Sequence, residues 1–343
     1  MNSGPLRVLE IYGDATDFGR AHGAECKDLI RAYLEERLGL SGDEAWSGRS
    51  AGAGTVLALA ESTLDHHRSY APNLYGEMVA LAEAAGITPA EAVVVGGFTD
   101  LIDVVRAHDD RAPIEDDCTA VLDPERGILA QTWDMHASAA DYVVMLKLDP
   151  ISGPSAVVQT TAGCLGQIGM NEAGIGVGIN NLTAIGKPGV TWPFVVRKIL
   201  EQTSLDDAIT AVTDADLAGG HNYLVMGPDG KGVNIEAMPG TVHVVPVEGG
   251  PFVHTNHCLD KGTRKQEGAR APELDESSRA RLDAGAELSQ DLDAFFAHPA
   301  IARRGAGAHD VATCGAVMIR PAERRLEAVW GLPGESPWET FRL

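Results

Sequence analysis

A chain of 343 residues that is 44% hydrophobic and 22% charged can bury a large core and is not a disordered polymer. Its 49 acidic against 27 basic residues give a formal net charge of −22, which opposes a phosphate backbone or an anionic membrane, so neither nucleic acid nor membrane is an expected partner. No apolar run reaches the about 18 residues of a membrane helix and residues 1–11 lack a signal-peptide pattern, which predicts a cytoplasmic protein. Residues 14–37 place Phe18, Ala21, Cys26, Leu29, Ile30, Tyr33 and Leu34 at three- and four-residue spacing, predicting an amphipathic helix with Asp17 as its N-cap. Residues 55–86, rich in Ala, Leu and Glu and broken at Pro72, predict two helices, the second closed by Gly86. A third starts at Thr88-Pro89-Ala90-Glu91, where proline suits the first turn.

After Cys118 the pattern changes to short β-branched runs at 142–148, 156–160, 175–179, 222–226, 232–237 and 242–247. Turns at 227–230 and 238–240 suit antiparallel strands. Helical patterns return at 192–203, 205–211 and 275–288, and residues 313–319 and 326–330 predict a closing hairpin. The segment before Cys118 therefore reads as mostly helical and the segment after it as sheet.

Five cysteines, an odd and widely spaced set, argue against a disulfide framework, so at least one thiol is free. None forms a C-x-x-C pair, and His254 with His257 lacks further ligands nearby, so neither a metal nor another cofactor is expected. Cys118 stands apart from the other four. It follows the acidic, turn-prone Glu115-Asp116-Asp117 and precedes Thr119-Ala120-Val121, a strand start, which makes it an accessible thiol beside a polar loop. Thr119–Leu122 and 128–133 pair as a hairpin through 123–127, which returns Trp133 and Asp134 toward Cys118 and lets Asp134 face the cysteine.

The Cys118-Thr119-Ala120 opening and Trp133-Asp134 are followed in order by Met170-Asn171-Glu172-Ala173-Gly174-Ile175, His221-Asn222-Tyr223-Leu224 and His254-Thr255-Asn256-His257. With the 18–23 motif Phe18-Gly19-Arg20-Ala21-His22-Gly23 and the 77–86 helix, this series resembles the penicillin (isopenicillin N) acyltransferase-like family of N-terminal-nucleophile hydrolases, relatives of the choloylglycine hydrolases. The resemblance covers nearly the whole chain.

It implies an α+β fold, a four-layer αββα sandwich made as one precursor that cuts its own Asp117-Cys118 bond into chains 1–117 and 118–343, together one domain. Cleavage frees an α-amine of pKa about 7.7–8.0, able to accept the thiol proton near neutral pH, so Cys118 supplies nucleophile and base. By the same resemblance Asp134 holds the amine or thiol proton, Asn256 donates to the oxyanion, and Arg279, in Ser277-Ser278-Arg279, stabilises the thiolate. Asn181, Asn222 and Trp133 are candidate substrate contacts, and Asn180 is weighed beside Asn181. Asp117 stands where the family usually has glycine.

The implied activity is hydrolysis of a small-molecule amide through an acyl-enzyme. Acyl transfer from a thioester such as acyl-CoA to an amine is the alternative within the enzyme class. An uncleaved, inactive binding protein is the alternative outside it, and a hydrolase using a metal on His254 and His257 comes last. The expected partners are the amide or acyl donor, the two chains derived from the precursor, and a second copy in a homo-oligomer.

Overall fold

The computed structural model describes residues 5–43, 50–107 and 118–343. A strand the sequence reading missed comes first: β1 (Val8–Gly13) alternates exposed and buried side chains because it is an edge strand, paired in parallel with a later one. The predicted 14–37 helix divides at Cys26 into α1 (Ala15–Glu25) and α2 (Lys27–Gly42). Its N-cap is Asp14 rather than Asp17. Asp14 accepts from the Asp17 N–H at 3.0 Å, and the Asp17 carboxylate accepts from the Asp14 N–H at 3.1 Å, a reciprocal cap that fixes the start three residues earlier.

The next helices are α3 (Ala53–Tyr70), α4 (Pro72–Ala85), α5 (Pro89–Gly96) and α6 (Phe98–Val105). Gly86 closes α4 with a left-handed φ of 73°, and Thr88 and Glu91 cap α5 reciprocally. The two glycines of the 18–23 motif let α1 lie directly on α4. A Cβ on Gly19 would come within 1.9 Å of the Glu77 carbonyl oxygen, and one on Gly23 within 2.3 Å of that of Leu81. Between them, buried His22 accepts the Gly163 N–H at 3.0 Å; burial, with Arg197 nearby, pulls its pKa down to about 4 and keeps it a neutral acceptor.

The remaining strands are β2 (Thr119–Asp123), β3 (Ile128–His136), β4 (Val143–Pro150), β5 (Ala156–Thr161), β6 (Ile168–Asn171), β7 (Gly176–Leu182), β8 (Gly220–Met226), β9 (Gly232–Met238), β10 (Thr241–Val247), β11 (Phe252–His254), β12 (Val311–Arg320), β13 (Arg325–Trp330) and β14 (Glu339–Arg342). They form an eight-stranded sheet, β1-β4-β5-β6-β7-β8-β9-β10, and a six-stranded sheet, β11-β2-β3-β12-β13-β14. Among the described residues these strands pair antiparallel, except β1 with β4.

Helices α7 (Trp192–Leu200) and α8 (Leu205–Thr213) cover the outer face of the first sheet. The second is covered by α9 (Pro272–Leu288) and α10 (Leu292–Ala297), over a core of Val121, Ile128, Ala130, Val253, Phe295 and Phe296. The layers therefore run helix, sheet, sheet, helix, the αββα arrangement. Covered on both faces, β7 and β8 are buried at every residue. The Gln131 amide, buried between the sheets, donates to the Ile179 carbonyl at 2.5 Å and accepts the Ile179 N–H at 2.8 Å, pinning β3 on β7. Gly178 makes room, since a Cβ there would meet the Gln131 Oε1 at 2.6 Å.

Candidate active site

Cys118 stands immediately before β2, and its side chain, 1% exposed, lies in the inter-sheet core with Ala120 and Leu122. β2 is held on both edges, by β3 (Thr119 opposite Thr132) and by β11 (Ala120 opposite His254). Two long-range donors converge on the Cys118 carbonyl oxygen. Asn180 Nδ2, reaching across from β7, donates at 3.0 Å, and Arg281 Nη1, from α9, donates at 2.6 Å. The start of β2 is thereby fixed to the first sheet and to the outer helix layer at one atom.

Arg281 does more than hold that carbonyl. Its Nη1 also donates to Thr119 Oγ1 at 3.1 Å and its Nη2 to Asn256 Oδ1 at 3.1 Å. It is fully buried, and these carbonyl, hydroxyl and amide oxygens accept charge-assisted hydrogen bonds from it in a low dielectric. Asn256 is fixed from three sides: its N–H donates to Ser278 Oγ at 3.0 Å, its Nδ2 to the Asn181 carbonyl at 3.0 Å, and its Oδ1 accepts from Arg281. A side-chain amide nitrogen carries two hydrogens, and the Asn181 bond uses one. The second is available to an oxyanion.

The predicted residues separate on this geometry. Continuing the β2–β3 register sets Trp133 opposite Cys118, and Trp133 lies in the same core. Asp134 does not face the thiol. Side chains alternate along β3, so with Gln131 and Trp133 turned toward the first sheet, Asp134 points to the opposite face, where Thr313 Oγ1 donates to it at 2.7 Å. Asp117 falls outside the described residues.

Arg279 is not brought to the site. It is exposed on α9 and binds the Asp275 carboxylate at 2.8 and 3.3 Å, four residues away on the same helix. The buried stripe of α9 is Ser278, Arg281 and Gly285, at three- and four-residue spacing, and the residue after Ser278 turns about 100° away from it. That spacing was the signal for Arg281. The same parity separates the paired asparagines: Asn180 points inward to Cys118, whereas Asn181 contributes its carbonyl and turns its side chain to the outer face. Asn222 lies opposite Asn180 and donates to Asn234 Oδ1 and to the Ile235 carbonyl, so its amide ties strands together beside the site.

His254 and His257 are both engaged by the protein, the first by Glu236 and the Thr255 carbonyl, the second by Ser278 Oγ at 2.8 Å. Among the described residues no group of three His, Cys, Asp or Glu is arranged to hold a metal ion. Burial pushes up the thiols of Cys26, Cys164, Cys258 and Cys314, making them protonated packing groups. A cavity of about 800 Å³ between α1, α4 and the β4–β5 turn, with Asp14, Phe18, Asn73 and Arg197 on its walls, includes none of the residues around Cys118.

The family model of acyl-coenzyme A:6-aminopenicillanic acid acyl-transferase matches residues 121–297. The acyl-coenzyme A:6-aminopenicillanic-acid-acyltransferase 40 kDa form of Emericella nidulans is 24% identical over 257 residues, covering 73% of this chain and 69% of that protein. Two variants of the conjugated bile acid hydrolase of Clostridium perfringens overlap with TM-scores of 0.46 and 0.43 at 9% and 10% identity, covering 66% and 67% of this chain and 92% of theirs. Penicillin V acylase of Agrobacterium tumefaciens overlaps with a TM-score of 0.33 at 11% identity, covering 62% of this chain and 82% of its own. With more than half of its length matched, the chain belongs to the acyl-coenzyme A:6-aminopenicillanic acid acyl-transferase family.

Proposed function

We propose that this chain is a self-processing cysteine amidohydrolase acting on a small-molecule amide. Cutting the Asp117–Cys118 bond would yield chains 1–117 and 118–343 and an α-amine on Cys118. That amine takes the thiol proton, and the sulfur attacks the substrate carbonyl while Asn256 Nδ2 donates to the developing oxyanion. The amine side leaves with the proton, and water then cleaves the thioester, returning the thiol. The observation that carries this reading is the joint hold on Cys118 and Asn256 by Arg281, which fixes the nucleophile's main chain and the oxyanion donor relative to each other.

A second reading, in which an amine replaces water and the enzyme transfers the acyl group, is favoured by the matched family's acyl-transferase description. The ratio of transfer to hydrolysis product with a competing amine separates the two. Intact mass under denaturing conditions tests the common core: two fragments split before Cys118 in the wild type, and one uncut, inactive chain in Cys118→Ala. A wild type that stays one chain and is inert toward a panel of amides and acyl thioesters overturns the enzymatic reading in favour of an uncleaved binding protein.

A further inference from the structure

One strand away from Cys118 the two sheets are joined by a buried acid–base pair that the catalytic scheme does not use. Glu236, fully buried on β9, places its carboxylate between the sheets. Its Oε1 faces His254 Nε2 at 3.0 Å and accepts the Leu259 N–H at 2.6 Å; its Oε2 accepts the Asp260 N–H at 3.2 Å and the Thr263 hydroxyl. These four partners span the 254–263 segment, with His254 at one end and Thr263 at the other, and Asn256 lies between His254 and Leu259. One carboxylate therefore closes the base of the loop that carries the oxyanion donor.

The other His254 nitrogen, Nδ1, meets the Thr255 carbonyl oxygen at 2.7 Å. A carbonyl oxygen can only accept, so Nδ1 carries the hydrogen that goes to Thr255, and Nε2 faces the Glu236 carboxylate in the interior. Burial works against the Glu236 charge, but the bonds from His254, Thr263 and Leu259 outweigh it and hold the carboxyl down at about 2. A buried carboxylate with its partner adds little stability over a well-packed apolar pair of the same volume, because desolvation offsets the attraction. What it adds here is direction, since an apolar pair could not bind both ends of a ten-residue segment by hydrogen bonds.

We propose that the buried Glu236–His254 pair is a positioning device: it sets the 254–263 loop across the gap between the sheets and so aims the Asn256 amide at the reaction's oxyanion. This rests on the cysteine amidohydrolase reading above, with Asn256 as donor. Both residues act through Asn256 and touch no substrate.

The test uses the full chain and Glu236→Gln, which preserves volume and removes the charge, with His254→Gln as a second variant should the first misfold. Amide hydrogen exchange followed by mass spectrometry reads the loop without any substrate. Exchange within 254–263 is expected to rise by roughly tenfold, with the strands on either side unchanged. Kinetics on an N-acyl-p-nitroanilide read the consequence: kcat falls by about tenfold or more while KM stays within about twofold. In an Asn256→Ala background the same substitution costs less than about twofold, because its target is gone.

Unchanged loop exchange, a loss confined to KM, or a full additive loss in the double variant overturns the proposal. A wild type with no turnover overturns the functional reading instead, and the exchange result then decides the positioning role alone.

Discussion

The Arg281 guanidinium holds the Cys118 carbonyl at 2.6 Å and the Asn256 side-chain oxygen at 3.1 Å, so the proposed nucleophile and the proposed oxyanion donor share one buried cation. Removing it leaves the carbonyl, the Thr119 hydroxyl and the amide oxygen short of a donor in the interior. Arg281→Ala is therefore expected to destabilise the fold by roughly 3–5 kcal/mol, and Arg281→Lys to recover only part, since an ammonium cannot reproduce the planar fork. Arg279→Ala, at an exposed helical ion pair, should change stability by no more than about 0.5 kcal/mol. Denaturant unfolding of the three variants checks this, and equal losses at 279 and 281 would contradict the placement.

Asn256 carries the oxyanion role in the proposed chemistry. Asn256→Ala should lower kcat by roughly 10²–10³-fold with KM little changed, because an oxyanion donor acts in the transition state more than in the ground state. Asn222→Ala is the control, because its amide is spent on Asn234 and the Ile235 carbonyl. Its effect should appear in the unfolding temperature rather than as a specific loss of kcat. A larger specific kcat loss at Asn222 than at Asn256 would move the donor to the neighbouring strand.

On the outer face of the first sheet, Asp100 accepts the Trp192 N–H at 2.8 Å, and its Oδ1 lies 3.4 Å from His221 Nδ1. Burial raises the Asp100 carboxyl to about 8 and lowers His221 to about 3, so a neutral acid faces a neutral imidazole at neutral pH. A carboxyl whose pKa is raised by folding contributes stability that is whole below its unfolded value near 3.8 and is lost as pH climbs through about 8. Asp100→Asn keeps the shape and an acceptor but cannot ionise. It should match the wild type near pH 4 and be more stable by about 1 kcal/mol or more at pH 8. Urea unfolding at the two pH values decides it, and a variant less stable at pH 8 would mean that the carboxyl is ionised in the fold.

The parts of this architecture that local chemistry encodes are legible in the sequence. Gly86 needs a left-handed conformation, Thr88 and Glu91 cap each other, and the 123–127 turn closes the hairpin that carries Trp133, each within a few residues. The short strands β6, β11 and β14 are not legible, because four, three and four residues carry little periodicity and gain their identity from partners far along the chain. Side-chain direction is lost for a different reason. A one-residue change in parity separates Asn180 from Asn181, and a rotation of about 100° separates Ser278 from Arg279; only the register and the helix's packing decide which faces Cys118. The ties that complete the site, Gln131 to Ile179 and Glu236 to His254, cross between sheets and have no sequence spacing to announce them.

The contact between α1 and α4 is the most sterically demanding of these long-range features. Gly19 leaves its Cα in a space where a methyl group would stand 1.9 Å from the Glu77 carbonyl oxygen, inside any real contact distance, so the helices must separate to admit it. Separation would also pull on the Glu77 carboxylate, which holds buried Arg197 on α7 through bonds of 2.6 and 3.0 Å. Gly19→Ala would gain about 1 kcal/mol from helix propensity on an exposed helix, so any loss measures the steric term directly. It should destabilise by roughly 2–3 kcal/mol net and lower the unfolding temperature, whereas Gly39→Ala, with no atom within 4 Å of its added methyl, should be neutral or stabilising. A neutral Gly19→Ala would show that α1 can shift without cost and that the close approach does not hold the two helices together.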